Sequence, residues 1–312
     1  MALILVLRAL GLGDLLTAVP ALRALRRARP EERVVLAAPA GLADVVGLVD
    51  AVDELLPTAG LGALDWSGPP PCLAVNLHGA GPQSIADLLA QRPGRLLTHQ
   101  HPAYPDVPGL GWRQDLHEID RWCRLIEYGR FPADRTDFAL PPPSMPSPAP
   151  GAVVVHPGAA YAARRWPPER YAKVATALFT SQNQVVVTGS ESERDLATAV
   201  ADAAGLPDSA VLAGKTGLGE LAALVAGASL VVCGDTGVGH LATAFGTPSV
   251  LLFGPTPPKL WGPPPGDPRH VTLWAGDVGD PHSDQPDSGL LLLSEHQVLI
   301  AAERLLEKSH AE

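Results

Sequence analysis

"ALILVLRALGLGDLLTAVPALRALRRA", residues 2–28, sets the reading of the whole chain. Ala2–Leu7 is an unbroken apolar run followed by a glycine turn, the pattern of a strand buried on both faces. Gly11 and Gly13 mark the turn, and from Asp14 to about Ala28 the run is helix-like. "RVVLAAP" (33–39) and "CLAVNLHG" (72–79) supply further strands. Strand, turn, helix, strand is the βαβ unit of a parallel sheet, whose ligands sit at the carboxyl ends of the strands. The apolar run has no basic flank before it and no cleavage site after it, so it reads as a strand rather than a signal peptide.

The same pattern restarts beyond a break. "PPPSMPSPAP" (141–150) has six prolines in ten residues, which rules out a helix or a central strand and marks a linker. After it come strands at 152–158, 184–190, 230–235 and 249–255, alternating with helices at 167–180, 191–204, 218–228 and 237–246. Residues 256–289, rich in Pro, Gly and Asp, read as loop, and 80–140 as loops and short helices. "LSEHQVLIAAERLLEK" (293–308) reads as an amphipathic helix with Ser294 as its N-cap. The expected architecture is α/β: two Rossmann-like domains with parallel sheets facing a central cleft. Residues 1–145 form the first and 151–292 the second. The last segment, 293–312, is a terminal helix, with packing back toward the N-terminal domain as one placement.

Composition narrows the function. The 312 residues carry a net charge of −10, against the basic surface that nucleic acid or an anionic membrane would require. No run of about 20 apolar residues is present to span a bilayer. Cys72, Cys123 and Cys233 are odd in number and lack metal-ligand spacing, which fits a reducing, cytoplasmic setting and predicts no metal site.

Four turns carry candidate chemistry. In the first, a dinucleotide fingerprint would need a third glycine where Leu16 stands, so the turn is not a dinucleotide loop. Asp14 then reads either as an N-cap or as a carboxylate presented at a strand's carboxyl end. In "CGDTGVGHLATAFGTP" (233–248) a helix beginning near Thr236 or Gly237 aims its amides at an anion. Thr236 and His240, four apart, share a face, and Gly237 and Gly239 leave room for backbone approach. The alternative there is a tight crossover with a capping Asp235 and a structural histidine. In "HPGAAYAARRWPPERYAKVA" (156–175) the arginines 164 and 165 can fork onto a diphosphate or form a solvated pair, and Trp166 reads as a core anchor. In "VTGSESERDLA" (187–197) Glu191 and Glu193 suit either a ribose or the first turn of a helix.

Together these stretches resemble glycosyltransferase family nine, the ADP-heptose heptosyltransferases. "LRALGLGDLLTAVPALRALRRARP" resembles the opening motif, and the other three stretches resemble, in order, the motifs of the donor domain. The resemblance covers most of the chain and is weakest from about 55 to 140. It implies a GT-B fold and an inverting, metal-independent transferase that uses a nucleotide-diphosphate sugar, usually ADP-heptose, as co-substrate with no cofactor. It implies Asp14 as general base. Gly13, Gly158, Arg164, Asp235, Thr236, Gly237 and His240 are expected at the donor diphosphate and sugar. Ser190, Glu193, Lys215, Thr216 and Leu218 are expected at the nucleoside. The chain departs from the family pattern in having Arg164 where lysine is common, Gly239 where serine is frequent, and no hydroxyls at Gly158-Ala159-Ala160.

The resemblance leaves the acceptor open. Residues 50–137 hold twelve carboxylates against seven arginines, a surplus that favours a neutral or cationic acceptor, such as an aminoglycoside-type precursor, over a phosphorylated lipid core. The alternatives are a lipopolysaccharide or other cell-envelope heptosyltransferase, a GT-B-like sugar-nucleotide epimerase, and a non-catalytic nucleotide-sugar binding protein. The expected partners are a nucleotide sugar and a small-molecule acceptor, with a monomeric, non-membrane chain closing its domains around them.

Overall fold

The computed structural model describes residues 2–180 and 183–309. Met1 and residues 310–312, at the ends of the expected first and last segments, lie outside the described residues. The chain divides into two compact units, one ending at Leu140 and the other beginning at Pro141, at the start of the proline run.

The first unit holds a five-stranded parallel sheet: β1 (Leu3–Leu7), β2 (Arg33–Ala38), β3 (Glu54–Pro57), β4 (Leu73–Asn76) and β5 (Leu96–Leu97), in the order β3-β2-β1-β4-β5. All five residues of β1 are buried, as expected of a central strand covered on both faces. Its register runs from Leu3 opposite Arg33 to Leu7 opposite Ala37 on one side, and from Ile4 opposite Leu73 to Leu7 opposite Asn76 on the other. Helices α1 (Leu12–Ala28), α2 (Gln83–Ala90) and α3 (Glu118–Tyr128) belong to this unit. Gly11 is the N-cap of α1, so Asp14 does not cap the helix but stands in its first turn.

The second unit repeats the architecture with a different order. Strands β6 (Val153–His156), β7 (Val185–Val187), β8 (Leu230–Gly234), β9 (Ser249–Phe253) and β10 (His270–Trp274) run β10-β9-β8-β6-β7, all parallel. Helices α4 (Pro168–Leu178), α5 (Arg194–Ala204), α6 (Leu218–Ala226), α7 (Gly237–Phe245) and α8 (Glu295–Ser309) alternate with and follow them. Trp166 is the core anchor expected: it is 1% exposed, donates from Nε1 to the Leu293 carbonyl at 3.0 Å and meets Tyr171 edge-on.

Three strands were not anticipated. β3 and β5 are short edge strands, which need no long apolar run. β10 lies inside the stretch read as loop, where Pro and Gly on either side hide five residues paired with β9. The terminal helix begins where expected. Ser294 caps it, accepting from the Gln297 amide at 3.3 Å while its own amide donates to Gln297 Oε1 at 2.9 Å. It places Val298, Ala302 and Leu305 in the C-terminal unit's core, and Lys173 Nζ on α4 pairs with Glu295 at 2.6 Å. These residues match the apolar surface of α4 and β9, and burying them removes more free energy than any exposed arrangement would.

Candidate functional site

Each sheet reverses its strand order once, between β1 and β4 in the first and between β6 and β8 in the second. At such a point the loops leaving neighbouring strands go to opposite faces and open a crevice, the usual ligand site of a doubly wound sheet. The motif residues gather at both reversals.

In the N-terminal unit, Arg8 directly follows β1 and is 1% exposed. Its Nε donates to the Asp14 carbonyl at 3.0 Å, and its Nη1 donates to the carbonyl of Leu77, just beyond β4, so one side chain bridges the switch point. Nη2 lies 3.1 Å from Asp14 Oδ1, 3.2 Å from Glu118 Oε1 and 3.3 Å from Thr17 Oγ1. The Asp14 side chain keeps 27% of its surface exposed, near the positive end of α1. Gly13 precedes it in the same first turn.

Glu118, at the start of α3, is the second carboxylate of this cluster. It accepts from Arg8, from Trp122 Nε1 at 2.9 Å and from Arg121 Nε at 2.9 Å. Burial opposes its ionisation, but the Arg8 and Arg121 guanidiniums outweigh burial and hold its pKa below the ordinary value. The Arg8 guanidinium also lies 4.6 Å from the Trp122 ring, and Arg121 lies 4.1 Å from Trp112. His78, beside β4, is pushed down in pKa by burial and then by the Arg8 charge.

In the C-terminal unit the turn after β6 and the turn after β8 are pressed together. A Cβ on Gly234 would stand 2.9 Å from the Arg164 carbonyl, so only glycine permits this approach. Arg164 Nη1 reaches the Asp235 carbonyl at 3.4 Å, while its Nε is buried without a hydrogen-bond partner. Asp235 is buried just past β8, and Thr236 is the N-cap of α7. The Thr236 hydroxyl is buried with no nitrogen or oxygen partner. Gly237 opens the helix, and the His240 ring packs edge-on against Trp261 at 5.9 Å. Gly239 lines the same small cavity as Asp235, Thr236 and His240, and a Cβ there would meet Leu251 Cδ2 at 3.0 Å and Cys233 Sγ at 3.4 Å. Glycine at this position therefore lets α7 pack closely on β8 and β9.

The residues expected at the nucleoside are divided. Glu193 Oε2 accepts from the Ser190 amide at 2.8 Å and the Ser190 hydroxyl at 2.9 Å, a capping box at the start of the 191–193 turn. The same carboxylate lies against Gly158, where any Cβ would overlap it. Burial opposes ionisation of Glu193, but the Ser190 hydrogen bonds, then His156 and Arg165, hold its pKa below the ordinary value. Glu191 pairs with Arg194 instead. Lys215 is exposed, with Thr216 and Leu218 partly buried, on the segment leading into α6. The buried His156, whose Nδ1 lies 3.0 Å from Thr188 Oγ1, joins this end of the sheet. Among the described residues no group of three or more His, Cys, Asp or Glu side chains is placed to hold a metal ion.

Sequence reading missed Arg8, Glu118, Arg121 and Trp122. Arg8 had a local signal, a cation directly after a wholly apolar strand and six residues before Asp14. The others reach the site from a segment 110 positions away from Arg8 and had none.

Residues 134–287, just under half of the chain, match the family described as glycosyltransferase family 9 (heptosyltransferase). This part of the chain is similar to that family. It contains Arg164, Glu193, Asp235, Thr236 and His240. Lipopolysaccharide heptosyltransferase 3 of Escherichia coli is 32% identical over 163 residues, 50% of this chain and 47% of that protein. The chain thus spans about half the length of the curated relatives it matches. Among solved structures, a family 9 glycosyl transferase from Veillonella parvula has a TM-score of 0.79 at 21% identity, covering 98% of this chain and 97% of that one. The E. coli ADP-heptose lps heptosyltransferase II has a TM-score of 0.79 at 20% identity, covering 99% of this chain and all of that one. Both units share the GT-B fold with these structures, including the N-terminal unit, most of which lies outside the family match.

Proposed function

We propose that this chain is an inverting, metal-independent heptosyltransferase that moves heptose from ADP-heptose to a hydroxyl of a lipopolysaccharide-core saccharide. The observation that carries the reading is the clustering of the donor motifs at the β6/β8 switch point within the family match, with a partner-seeking Arg164 Nε and Thr236 hydroxyl. In the reaction, the bond from the anomeric carbon to the diphosphate breaks as the acceptor oxygen bonds to that carbon through an oxocarbenium-like state. Arg164, Thr236 and the first amides of α7 take up the charge left on ADP, the part a metal would otherwise play. Asp14 accepts the acceptor's proton. Lys215, Thr216 and Leu218 flank the nucleoside.

The relatives favour a cell-envelope acceptor over an aminoglycoside-type one. The acidic surplus that suggested the latter came from too narrow a window. Residues 1–140 hold thirteen arginines against sixteen carboxylates, net −3, while residues 141–312 hold ten basic side chains against seventeen acidic, net −7. Much of the counted acid is also paired: Asp53 with Arg26, Asp115 with Arg113, Asp120 and Glu127 with Arg135, and Asp137 with Arg23. A like-charged acceptor face is therefore not the character of the first unit. Among the described residues no helix is long and apolar enough to cross a membrane, and the three cysteines are unpaired, in keeping with a reducing compartment.

The test is ADP release from ADP-heptose, with product mass, against heptose-lacking lipopolysaccharide core and against an aminocyclitol panel. Transfer to the core supports the reading, and transfer only to aminocyclitols overturns the acceptor. ADP binding with no transfer to either, unchanged by Asp14→Asn, would point to a binding protein.

A further inference from the structure

We propose that Arg8 is the positioning residue for Asp14, and that Glu118 is the counter-anion that limits its hold, so that the two together set how strong a base Asp14 is. This rests on the reading of Asp14 as the base. The geometry is specific. Arg8 is almost wholly buried and, besides the Asp14 carboxylate, is fixed at four places: the Asp14 carbonyl, the Leu77 carbonyl, the Thr17 hydroxyl and the Glu118 carboxylate. A guanidinium tied to both strands of the switch point has little freedom to follow a moving partner. It therefore fixes the carboxylate of Asp14, whose backbone it also grips.

The same Nη2 atom serves both Asp14 and Glu118. A carboxylate fully neutralised by an arginine is a poor base, because the cation stabilises the charged form and lowers its proton affinity. Glu118 counters this. It is held ionised between Arg8 and Arg121, so part of the Arg8 charge is already balanced before Asp14 is considered. Arg8, which touches Asp14, is itself faced by Glu118 on α3 and by His78 after β4, and Glu118 in turn by Arg121. Burial and Arg8 keep His78 on the neutral side of its ordinary value. Of Arg8, Glu118, Arg121 and Asp14, Asp14 is the member whose side chain retains the most contact with solvent.

Removing either partner should move Asp14 in opposite directions, which a merely structural role would not produce. The measurement is the titration of the Asp14 carboxyl by 13C NMR, assigned by its loss in Asp14→Asn, together with the pH profile of kcat for ADP release from ADP-heptose with lipopolysaccharide core. In Arg8→Met the Asp14 midpoint and the acidic limb of kcat should rise by about one pH unit, and kcat should fall on the order of 10- to 100-fold through lost positioning. In Glu118→Gln both should fall, with a lower plateau because the base is weaker. Arg8→Lys keeps the charge but not the fork. It should leave the midpoint near wild type while lowering kcat, and it stands in for Arg8→Met if that variant does not fold. An Asp14 midpoint unmoved in folded Arg8→Met and Glu118→Gln, or moved the same way in both, overturns the proposal. If Arg8→Lys must stand in, wild-type kcat in that variant overturns it. The NMR arm needs no turnover. A chain without transfer, or active as Asp14→Asn, would therefore defeat the functional reading separately.

Discussion

The two switch points solve the same problem in opposite ways. At the N-terminal one, a buried arginine, two carboxylates, a second arginine and a tryptophan N–H hydrogen-bond or pair with one another, and Asp14 keeps the most contact with solvent among the charged members. The nearby His78 Nδ1 and His99 Nδ1 are the buried atoms left without partners. At the C-terminal one, the Arg164 Nε is buried without a partner, the Thr236 hydroxyl has no nitrogen or oxygen partner, and the first turn of α7 adds backbone amides. An unsatisfied buried donor costs about 1–3 kcal/mol. An anion placed there recovers that cost, which is what the proposed diphosphate role asks of this site. The first is already organised before any substrate comes. A base must be held in one geometry, whereas an anion site must have donors to spare.

The sharpest way to break this contrast is Asp14→Asn. Transfer should drop about 10²- to 10⁴-fold while ADP affinity, measured calorimetrically, stays as it was. A parallel loss of ADP binding would mean the two sites do not divide the work.

His99 extends the comparison to stability. It is 2% exposed, among Trp112 and Trp122, and burial, then Arg121, lowers its pKa from 6.5 to about 4. Its folded pKa lies below the unfolded one, so the unfolded chain takes up the proton first as pH falls. Stability is full above pH 6.5 and is lost toward pH 4, by about 2 kcal/mol at pH 5. Urea unfolding of His99→Phe between pH 7 and 5 should lack that slope, and an unchanged slope would remove His99 from the cause.

Arg164→Ala or Thr236→Val should weaken ADP by about 10- to 100-fold without touching the Asp14 titration, since charge-assisted hydrogen bonds contribute about 1.5–3 kcal/mol. Wild-type affinity in both would show that neither donor meets the ligand. The smallest effect belongs to Gly158→Ala. Its Cβ would displace Glu193 from Ser190, costing about 1 kcal/mol of capping, read as a lowered Tm. Because Glu193 has a lowered folded pKa, its contribution is present above its ordinary value of 4.5 and is lost as pH falls below it. The wild-type and Gly158→Ala curves should accordingly converge in acid.

Local pattern made much of this legible. Apolar runs bounded by glycine located β1, β2, β4 and β6 to β9, because a strand covered on both faces must be apolar throughout. It failed where burial is one-sided or slight: β3, β5 and β10 are edge strands, and composition alone made β10 a loop. The turns of the proposed donor site were visible because each is continuous in sequence, and a strand–glycine–helix junction at a switch point is the usual place for a ligand. The carboxylate of the opening motif was also visible, but its surroundings were not.

By itself, then, the sequence determined two parallel α/β units, the turns that end their central strands, and Asp14 as the acid of the first turn. Only the tertiary structure decided that Gly239 lets α7 pack closely on β8 and β9, that Glu193 caps its own turn, that the terminal helix joins the second unit, and that Arg8 stands between Asp14 and Glu118. The reason is one of range. Strand and turn preferences act over a few residues, whereas partners for a buried charge are chosen by whatever chain segment packs over it, here one more than a hundred residues away.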